Sequence, residues 1–239
     1  MFVSDLDGTL VKSGNIIEAS TLEKLHKIVE SGCEFYIATG RHLESVQELV
    51  EKYNLPVSGI ILLNGAILTD GKFAILSKKT IAESTLKKLL TYVNTKTLCK
   101  LHYVNVEGEC CNAQQLSTSE LYSIHIEIDS QDEILCNRIF EEVYEQIHQE
   151  ANAFRNLNFI DVAPLGCSKG EGVNFFQKIK EELYCIGDSY NDISMIEKSE
   201  FSATFQHAQY AIKQCAHMSV KHIDEYLTFI EKRRMNNGY

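Results

Sequence analysis

Two aspartates lie close together near the N-terminus, directly after a short apolar segment. Asp5 and Asp7 flank Leu6 and are followed by Gly8. Residues i and i+2 of an extended chain point the same way, so both carboxylates can face one pocket. Gly8 permits a sharp turn at which backbone amides can approach an oxyanion. Because carboxylates this close repel one another, the pair indicates a cation site, with a plain Asp-Gly turn as the alternative.

A second acidic group lies far along the chain, after the apolar residues 183–186 and Gly187. It contains Asp188, Asn191 and Asp192. Mg²⁺ prefers oxygen ligands and keeps several waters, so a further carboxylate here could complete a magnesium site. The alternative is that Asp188 caps the short helix that follows, which is a common role for aspartate.

Two further segments could bind phosphate. Thr39 and Gly40 come at the end of an apolar segment and just before a helical pattern. A hydroxyl and a free amide at a helix N-terminus suit a phosphate oxygen, although a simple helix cap is the better explanation of these two residues taken alone. Lys169 begins another helical pattern. A single lysine is usually a solvated surface charge, so only its occurrence together with the other motifs argues for a role in the site.

The elements that would position these residues alternate between strand and helix at both ends of the chain. Helical stripes cover residues 18–30 and 43–53, and apolar strands cover residues 2–4, 33–38 and 59–63. After Pro164, a helix at 170–181 and strands at 183–186 and 201–205 repeat this texture. Short connections between such elements predict a parallel sheet with right-handed crossovers.

The middle of the chain has a different texture. Residues 98–106 and 122–129 alternate with a period of two, as in a sheet with one open face, and helical patterns cover 81–94 and 131–149. We therefore predict an α/β protein whose Rossmann-like core, residues 1–68 and 162–239, is interrupted by an inserted α+β cap domain, residues 69–161. Because ligands of open α/β sheets bind at the carboxyl ends of the strands, the four motifs could converge there.

Taken in order, the acid pair, hydroxyl, lysine and acid cluster resemble the motifs of the haloacid dehalogenase superfamily of phosphohydrolases. The inserted unit, together with Asn64-Gly65-Ala66 before it and Ser168-Lys169-Gly170 after it, resembles the Cof-like subfamily and its large cap. The resemblance is specific at the first and last motifs and only architectural in the cap. It implies a Mg²⁺-dependent phosphatase that acts on a small phosphate monoester, such as a sugar phosphate or a similar metabolite.

The resemblance also implies a role for each matching residue. Asp5 would be the nucleophile, forming an aspartyl-phosphate, and a metal ligand. Asp7 would act as general acid and then as general base, while its backbone carbonyl binds the metal. Asp188 would complete the protein's metal ligands, with Asp192 in support. The phosphoryl oxygens would be held by Thr39, the amides of Leu6 and Gly40, Lys169 and Asn191.

The sequence departs from the subfamily in two places. Where relatives usually read Met-Gly-Asn-Ala after the last acidic motif, this chain has Gln206-His207-Ala208, which puts a local contact near the site in doubt. The chain is also short, which suggests a trimmed cap. Four cap residues could reach the leaving group, although packing or solvation is expected for each: His102, Tyr103, His125 and Arg155.

The composition of the chain limits the kinds of partner and the cellular environment that we expect. A net charge of −10 argues against nucleic acid and anionic membranes, which select clustered Lys and Arg. No apolar run approaches the about 20 residues that span a bilayer, and the N-terminus lacks a secretory pattern, so we expect a soluble cytoplasmic protein. The eight cysteines show no C-x-x-C spacing and are expected to be reduced thiols.

Other functions stay open at this level. The same residues could serve a phosphomutase or a sugar-disaccharide phosphatase with a similar cap. A phosphorylatable switch resembling response-regulator receivers would also use an acidic pair, but on a chain of about half this length and without an insert. A binding module without activity is a third possibility, against which the complete set of acids argues. The sequence names neither the substrate nor the oligomeric state.

Overall fold

The computed structural model describes residues 1–105, 108–110, 121–178 and 181–236. Its strands are β1 (Phe2–Asp5), β2 (Phe35–Ala38), β3 (Gly59–Leu62), β4 (Ile67–Asp70), β5 (Ile75–Lys78), β6 (Cys99–Asn105), β7 (Gly108–Cys110), β8 (Ser123–Ile128), β9 (Ala151–Asn156), β10 (Phe159–Pro164), β11 (Tyr184–Ile186), β12 (Phe201–Phe205) and β13 (Met218–Val220). Its helices are α1 (Ala19–Glu30), α2 (Leu43–Tyr53), α3 (Glu83–Val93), α4 (Glu133–Ile147), α5 (Lys169–Phe176), α6 (Ile193–Ile196), α7 (Tyr210–Cys215) and α8 (Ile223–Asn236).

Eight of these strands form one sheet in the order β13-β12-β11-β1-β2-β3-β4-β5. The strands from β13 to β3 are parallel, and the antiparallel β4 and β5 extend one edge. All four residues of each of β1, β2 and β3 are buried, as expected for parallel strands covered on both faces. The predicted α/β class with a parallel core sheet is confirmed.

The helices that cover this sheet follow the predicted apolar stripes. In α1 the buried positions include Leu25 and Ile28, and in α2 they include Val46, Leu49 and Val50. These spacings of three and four residues place the apolar side chains on one helix face, which packs on the sheet. The helix predicted at 170–181 is shorter in the structure, where α5 ends at Phe176.

Five other strands form a second, antiparallel sheet in the order β7-β6-β8-β10-β9. Helices α3 and α4 contribute Leu89, Cys136, Ile139 and Val143 to a separate apolar cluster with the inward side chains of this sheet. In β8, buried and half-buried residues alternate almost regularly, whereas every residue of β10 except Phe159 is buried. The alternation predicted for residues 98–106 and 122–129 therefore reflects a sheet with one covered face; Val106 lies outside the described residues.

The two sheets divide the chain at slightly different positions from the boundaries that we predicted. Strand β5 (Ile75–Lys78) still lies in the eight-stranded sheet, although the predicted insert begins at residue 69. Strand β10 continues in the second sheet to Pro164, beyond the predicted end at residue 161. The change in hydrophobic pattern near Asp70 marks the switch from parallel to antiparallel strand pairing. This switch precedes the point at which the chain enters the second sheet. The domain boundaries themselves stay a prediction.

Two further observations concern the chain as a whole. Among the helices that the structure describes, none combines the length and the apolar character needed to cross a bilayer. The cysteines whose side chains are described are free thiols: Cys33, Cys99, Cys136, Cys167, Cys185 and Cys215.

Candidate active site

The carboxyl ends of neighbouring parallel strands bring the predicted residues together. Asp5 is the last residue of β1, and Thr39 directly follows β2. Asp188 comes two residues after β11, which pairs with β1 on its other side. Lys169 is the first residue of α5, whose N-cap Ser168 accepts a hydrogen bond from the amide of Glu171. Residues separated by more than 160 positions in sequence thus meet because β1 lies at the centre of the sheet.

Lys169 is the centre of a buried ion cluster. Its Nζ lies 2.6 Å from Oδ1 of Asp5 and 2.6 Å from Oδ1 of Asp192. All three side chains are almost fully buried, with relative exposures of 1% for Lys169, 5% for Asp5 and 0% for Asp192. The solvated lysine considered from the sequence is therefore wrong. A buried ammonium between two carboxylates is stable because each charge retains a partner.

The charges in this cluster do not balance. Burial raises the pKa of Asp5 well above its usual value, and the neighbouring carboxylates of Asp192 and Asp188 raise it further, against the lowering by Lys169. Burial also raises the pKa of Asp188 to about 6, again with help from Asp192. The pKa of Lys169 rises because Asp192 and Asp5 outweigh the lowering caused by burial. One ammonium therefore faces three carboxylates, and a further cation would favour the ionised forms of Asp5 and Asp188.

Asp192 uses both of its carboxylate oxygens within the protein. Oδ1 binds Lys169, while Oδ2 accepts hydrogen bonds from the amides of Asp188 at 3.0 Å and Ser189 at 2.9 Å. Ser189 caps the short 3₁₀ turn Tyr190–Asp192 and forms a reciprocal capping box with Asp192. The capping role considered for Asp188 is therefore taken by Ser189, and Asp192 holds the loop that carries Asp188.

The remaining carboxylate oxygens fit a hard divalent cation. Asp5, Asp188 and Asp192 each offer an oxygen, and these atoms lie within 4.8 Å of one another. Oδ2 of Asp5 is buried and has no hydrogen-bond partner among the described residues. An orphaned buried carboxylate oxygen is costly unless a cation or donor meets it, and oxygen ligands alone suit Mg²⁺. Since Asp192 is already satisfied, Asp5 and Asp188 are the side chains that fit the metal.

Asp7 is bound by Arg41 rather than by Lys169. Nε of Arg41 donates to Oδ2 of Asp7 at 2.8 Å and Nη2 donates to Oδ1 at 2.5 Å, a two-point contact between guanidinium and carboxylate. The side chain of Asp7 is 57% exposed, in contrast to the buried Asp5. We assigned no role to Arg41 from the sequence, although it directly follows the Thr39-Gly40 motif. The available signal was that a positively charged side chain directly follows a motif predicted to lie close to the two aspartates.

The residues predicted to hold phosphate lie around Asp5. Thr39 is buried, and its Oγ1 accepts a hydrogen bond from the amide of Arg41 at 3.1 Å. The cap of α2 is His42 rather than Thr39, which leaves the hydroxyl of Thr39 beside the cluster. The side chain of Leu6 is fully buried in the core, so its backbone amide is the group that it can offer. Asn191 is buried, and its Nδ2 donates to Oδ1 of Asn64 at 3.1 Å.

A cavity of about 300 Å³ opens over these residues. Of the predicted residues, it is lined by Asp5, Asp7, Thr39, Gly40, Lys169 and Asn191. The second sheet contributes the opposite wall through Val104, His125, Asn156, Phe159 and Asp161. A volume of this size admits a small molecule, and the mixture of charged, amide and aromatic groups suits a polar one.

The four cap residues considered for leaving-group contact have different environments. Nδ1 of His125 lies 2.6 Å from Oδ1 of Asp161 at the cavity wall. His102 contacts Glu127, Tyr103 is buried in the second apolar cluster, and Arg155 contacts Asn137. His125 is the one of these four that lines the cavity.

His207, which replaces the residues usual in relatives, packs beside the acidic group. Its ring stacks on Phe205 with centroids 5.2 Å apart. It is also close enough to Asp188 to favour the ionised carboxylate, a lowering of the Asp188 pKa that is smaller than the effect of burial. His207 thus lies beside Asp188 without belonging to the buried cluster of Lys169, Asp5 and Asp192.

Comparison with known proteins adds to this geometry. A sequence model of the family described as haloacid dehalogenase-like hydrolase matches residues 2–133 and 111–226. A putative phosphatase of Mycoplasma pneumoniae (strain ATCC 29342 / M129 / Subtype 1) is 27% identical over 90% of this chain and 88% of its own. A 5-amino-6-(5-phospho-D-ribitylamino)uracil phosphatase of Bacillus subtilis (strain 168) is 22% identical over 98% and 93%. A solved sugar phosphatase of superfamily subclass IIB superposes with a TM-score of 0.78 at 23% identity, covering 99% of this chain and 98% of its own.

Proposed function

Because the chain belongs to the haloacid dehalogenase-like hydrolase family, we propose that it is a Mg²⁺-dependent phosphatase that hydrolyses a small phosphate monoester through an aspartyl-phosphate on Asp5. The predicted family and the enzyme class, a phosphatase of this superfamily, are confirmed by the family match and by the relatives. The metal, the intermediate and the roles of single residues are the parts that this proposal adds.

One observation carries the proposal: the two oxygens of Asp5 differ. Oδ1 is held by Lys169 at 2.6 Å, whereas the buried Oδ2 has no hydrogen-bond partner in the described structure. A carboxylate fixed through one oxygen keeps the other in a defined position. Asp5 also lines the cavity, so a phosphate ester bound there would meet a nucleophile that is already oriented.

In the first step, a carboxylate oxygen of Asp5 forms a bond to phosphorus while the bond from phosphorus to the leaving oxygen breaks. The leaving oxygen takes a proton from Asp7, which lines the same cavity. Asp7 is bound by Arg41 in the structure, so that ion pair must open before Asp7 can carry and deliver the proton. The products of this step are the alcohol and the phosphorylated Asp5.

In the second step, water attacks phosphorus and the bond from phosphorus to Asp5 breaks. Asp7, now without its proton, accepts one from the attacking water and is ready for the next turnover. Inorganic phosphate leaves and Asp5 is regenerated as a carboxylate. Dividing the hydrolysis in this way uses one nucleophile and one proton carrier for both halves.

The phosphoryl oxygens would be held by groups that already surround Asp5. Lys169 supplies positive charge, Thr39 a hydroxyl, Asn191 an amide, and Leu6 and Gly40 backbone amides. Catalysis of phosphoryl transfer depends mainly on such positioning and countercharge. Mg²⁺ held by Asp5, Asp188 and the backbone carbonyl of Asp7 would supply charge neutralisation, which lets carboxylate and phosphate approach each other.

The substrate is proposed to be a phosphorylated polar metabolite, such as a sugar phosphate. A solved relative acts as a sugar phosphatase and another relative as a phosphatase of a ribitylamino-uracil phosphate. The cavity of about 300 Å³ and the polar wall with His125, Asn156 and Asp161 are consistent with a small hydroxylated leaving group. A phosphomutase stays the alternative, since it would use the same nucleophile but return the phosphoryl group to a sugar.

The test is a panel of phosphate monoesters assayed for release of inorganic phosphate with Mg²⁺ and with a chelator. We expect release that requires Mg²⁺ and no bisphosphate activator, and loss of turnover in Asp5→Asn with a folded chain. Asp129→Asn, which changes an exposed aspartate directly after β8, is the matched control and should retain activity. Normal turnover by Asp5→Asn would refute the nucleophile, and a need for a bisphosphate would favour the mutase.

A further inference from the structure

A chain of three polar side chains joins the second sheet to the proposed phosphate site. Nδ2 of Asn64 lies 3.4 Å from Oδ2 of Asp161 on β10. On its other side, Oδ1 of Asn64 accepts from Nδ2 of Asn191 at 3.1 Å. All three residues are buried, with relative exposures of 1% for Asn64, 6% for Asp161 and 4% for Asn191. Asp161 and Asn191 line the cavity, whereas Asn64 lies behind them.

The direction of this chain is set at Asp161. An ionised carboxylate accepts hydrogen bonds and donates none, so Asn64 must turn its NH₂ group toward Asp161. The carbonyl oxygen of Asn64 then faces Asn191, and Asn191 must turn its own NH₂ group toward Asn64. Asp161 also accepts from Nδ1 of His125 at 2.6 Å, which holds the carboxylate on its other side. One acceptor thus decides the orientation of two amides.

Nothing else in the described structure fixes the amide of Asn191. Its Oδ1 is buried and has no hydrogen-bond partner among the described residues, so Asn64 alone orients the group. Its Nδ2 carries two hydrogens and gives one to Asn64, which leaves the second for a phosphoryl oxygen. If the amide were reversed, the NH₂ group would leave this position.

The backbone holds Asn64 in place. Leu63 and Asn64 both have left-handed backbone conformations, with φ of 49° and 53°. The amide of Asn64 donates to the carbonyl of Thr39 at 3.0 Å, and the amide of Leu63 donates to that of Arg41 at 3.2 Å. Two successive non-glycine residues in this region are costly, and they persist only where the surroundings hold them. Asn64 is thereby tied to the loop that carries Thr39.

We propose that Asp161 and Asn64 are positioning residues for phosphate binding: through Asn64, the carboxylate of Asp161 orients the amide of Asn191 so that it donates to the phosphoryl group. This inference rests on the proposed function, in which Asn191 holds the phosphate. It also gives the second sheet a part in phosphate binding, because the series of hydrogen bonds from Asp161 to Asn191 is complete only when β10 contacts Asn64. Neither Asn64 nor Asp161 needs to touch the phosphate.

The test uses inorganic phosphate as a competitive inhibitor of p-nitrophenyl phosphate hydrolysis in the presence of Mg²⁺. Asn64→Leu and Asn191→Leu should each raise the inhibition constant of phosphate by about tenfold, the order expected for a hydrogen bond to a charged group. The double variant should be no weaker than Asn191→Leu, because Asn64 acts through Asn191. Asn158→Leu, which removes an amide that bonds to the carbonyl of Ile128 in the same sheet, should leave the constant unchanged.

A second set of variants retains side-chain size and reverses only the direction of the chain. In Asp161→Asn the oxygen should stay with His125, the closer partner, so its NH₂ group would face Asn64 and reverse both amides. Asn64→Asp alone would place two carboxylates together. The combined variant Asp161→Asn with Asn64→Asp restores an acceptor toward Asn191, and it should bind phosphate more tightly than either single variant.

The outcomes separate the two hypotheses. If the wild-type protein has no phosphatase activity, the proposed function is refuted. If the wild-type protein is active but the single variants, shown by circular dichroism to be folded, bind phosphate normally, only the positioning role of Asp161 and Asn64 is refuted. The inference would likewise be overturned by additive losses in the Asn64→Leu/Asn191→Leu double variant. It would also be overturned if the combined Asp161→Asn and Asn64→Asp variant bound phosphate no more tightly than the better of its two single variants.

Discussion

Arg41 binds both carboxylate oxygens of Asp7, with distances of 2.8 Å and 2.5 Å, at the mouth of the cavity that contains Asp5. The acid pair of the N-terminal motif is therefore divided in the structure. Asp5 belongs to a buried cluster with Lys169, and Asp7 belongs to a half-exposed ion pair. Two aspartates separated by one residue thus have different surroundings, and the proposed roles require a cation beside Asp5 and the release of Asp7 from Arg41.

The first prediction concerns Asp7. We expect Asp7→Asn to lower turnover of an alkyl phosphate by about 10²- to 10⁴-fold, because leaving-group protonation and water activation are both lost. With p-nitrophenyl phosphate, whose leaving group needs no proton, the variant should still release about one equivalent of nitrophenol per enzyme in a rapid-quench experiment. Equal losses for both substrates, without a burst, would remove the proton-carrier role from Asp7.

The second prediction concerns Gly8, whose φ is +79°. A Cβ atom at Gly8 would lie 2.5 Å from Oδ2 of Asp188, so Gly8→Ala should displace Asp188 and weaken Mg²⁺ binding. Gly14 has a φ of +82°, but a Cβ atom there would only make ordinary van der Waals contact with Ile16 at 3.8 Å, so Gly14→Ala is a control with the same backbone cost of about 1–2 kcal/mol. Titration calorimetry with Mg²⁺ measures the effect; similar affinities in both variants would contradict it.

The third prediction concerns the stability of the buried cluster. Lys169→Met leaves Asp5 and Asp192 buried without their shared cation, and losing one partner of such a cluster costs about 3–5 kcal/mol. Urea unfolding in chelator at neutral pH measures the change in the free energy of unfolding. Lys27→Met removes an exposed helical ion pair with Glu23 and should change little. The prediction is wrong if both variants unfold at similar urea concentrations.

The fourth prediction concerns pH. The pKa of Asp188 in the metal-free protein is about 6, above its usual 3.8. The folded state therefore holds this proton more tightly, and the resulting stability is fully present below pH 3.8 and is lost as pH rises through about 6. Because Mg²⁺ needs the ionised carboxylate, its stabilising effect should grow over the same range.

Thermal melts at about pH 5 and about pH 7.5 test this dependence, with Mg²⁺ or with chelator present. The rise in Tm caused by Mg²⁺ should be larger at the higher pH, and it should be absent at both pH values in Asp188→Asn. A rise that is equal at the two pH values would show that no ligand of this ion titrates near 6.

The sequence by itself determined the fold class and indicated which polar residues would lie close together. Continuous apolar strands followed by short polar motifs predict a parallel sheet, and residues at the ends of such strands must meet. Asp5, Lys169, Asp188 and Asp192 lie together in the structure for this reason. Their types and order along the chain, compared with the motifs of the haloacid dehalogenase superfamily, pointed to them.

Tertiary structure decided which partner each of these residues has. The partner of Asp7 is Arg41 and that of Asp5 is Lys169, and the hydrogen bonds from Asp161 to Asn191 depend on contact between two sheets. Local sequence patterns report which residues are buried and which turn, but they carry no information about the side chain that a buried polar atom meets. Hydrogen-bond direction and unbalanced charge arise only when distant segments pack together, so the structure alone shows them.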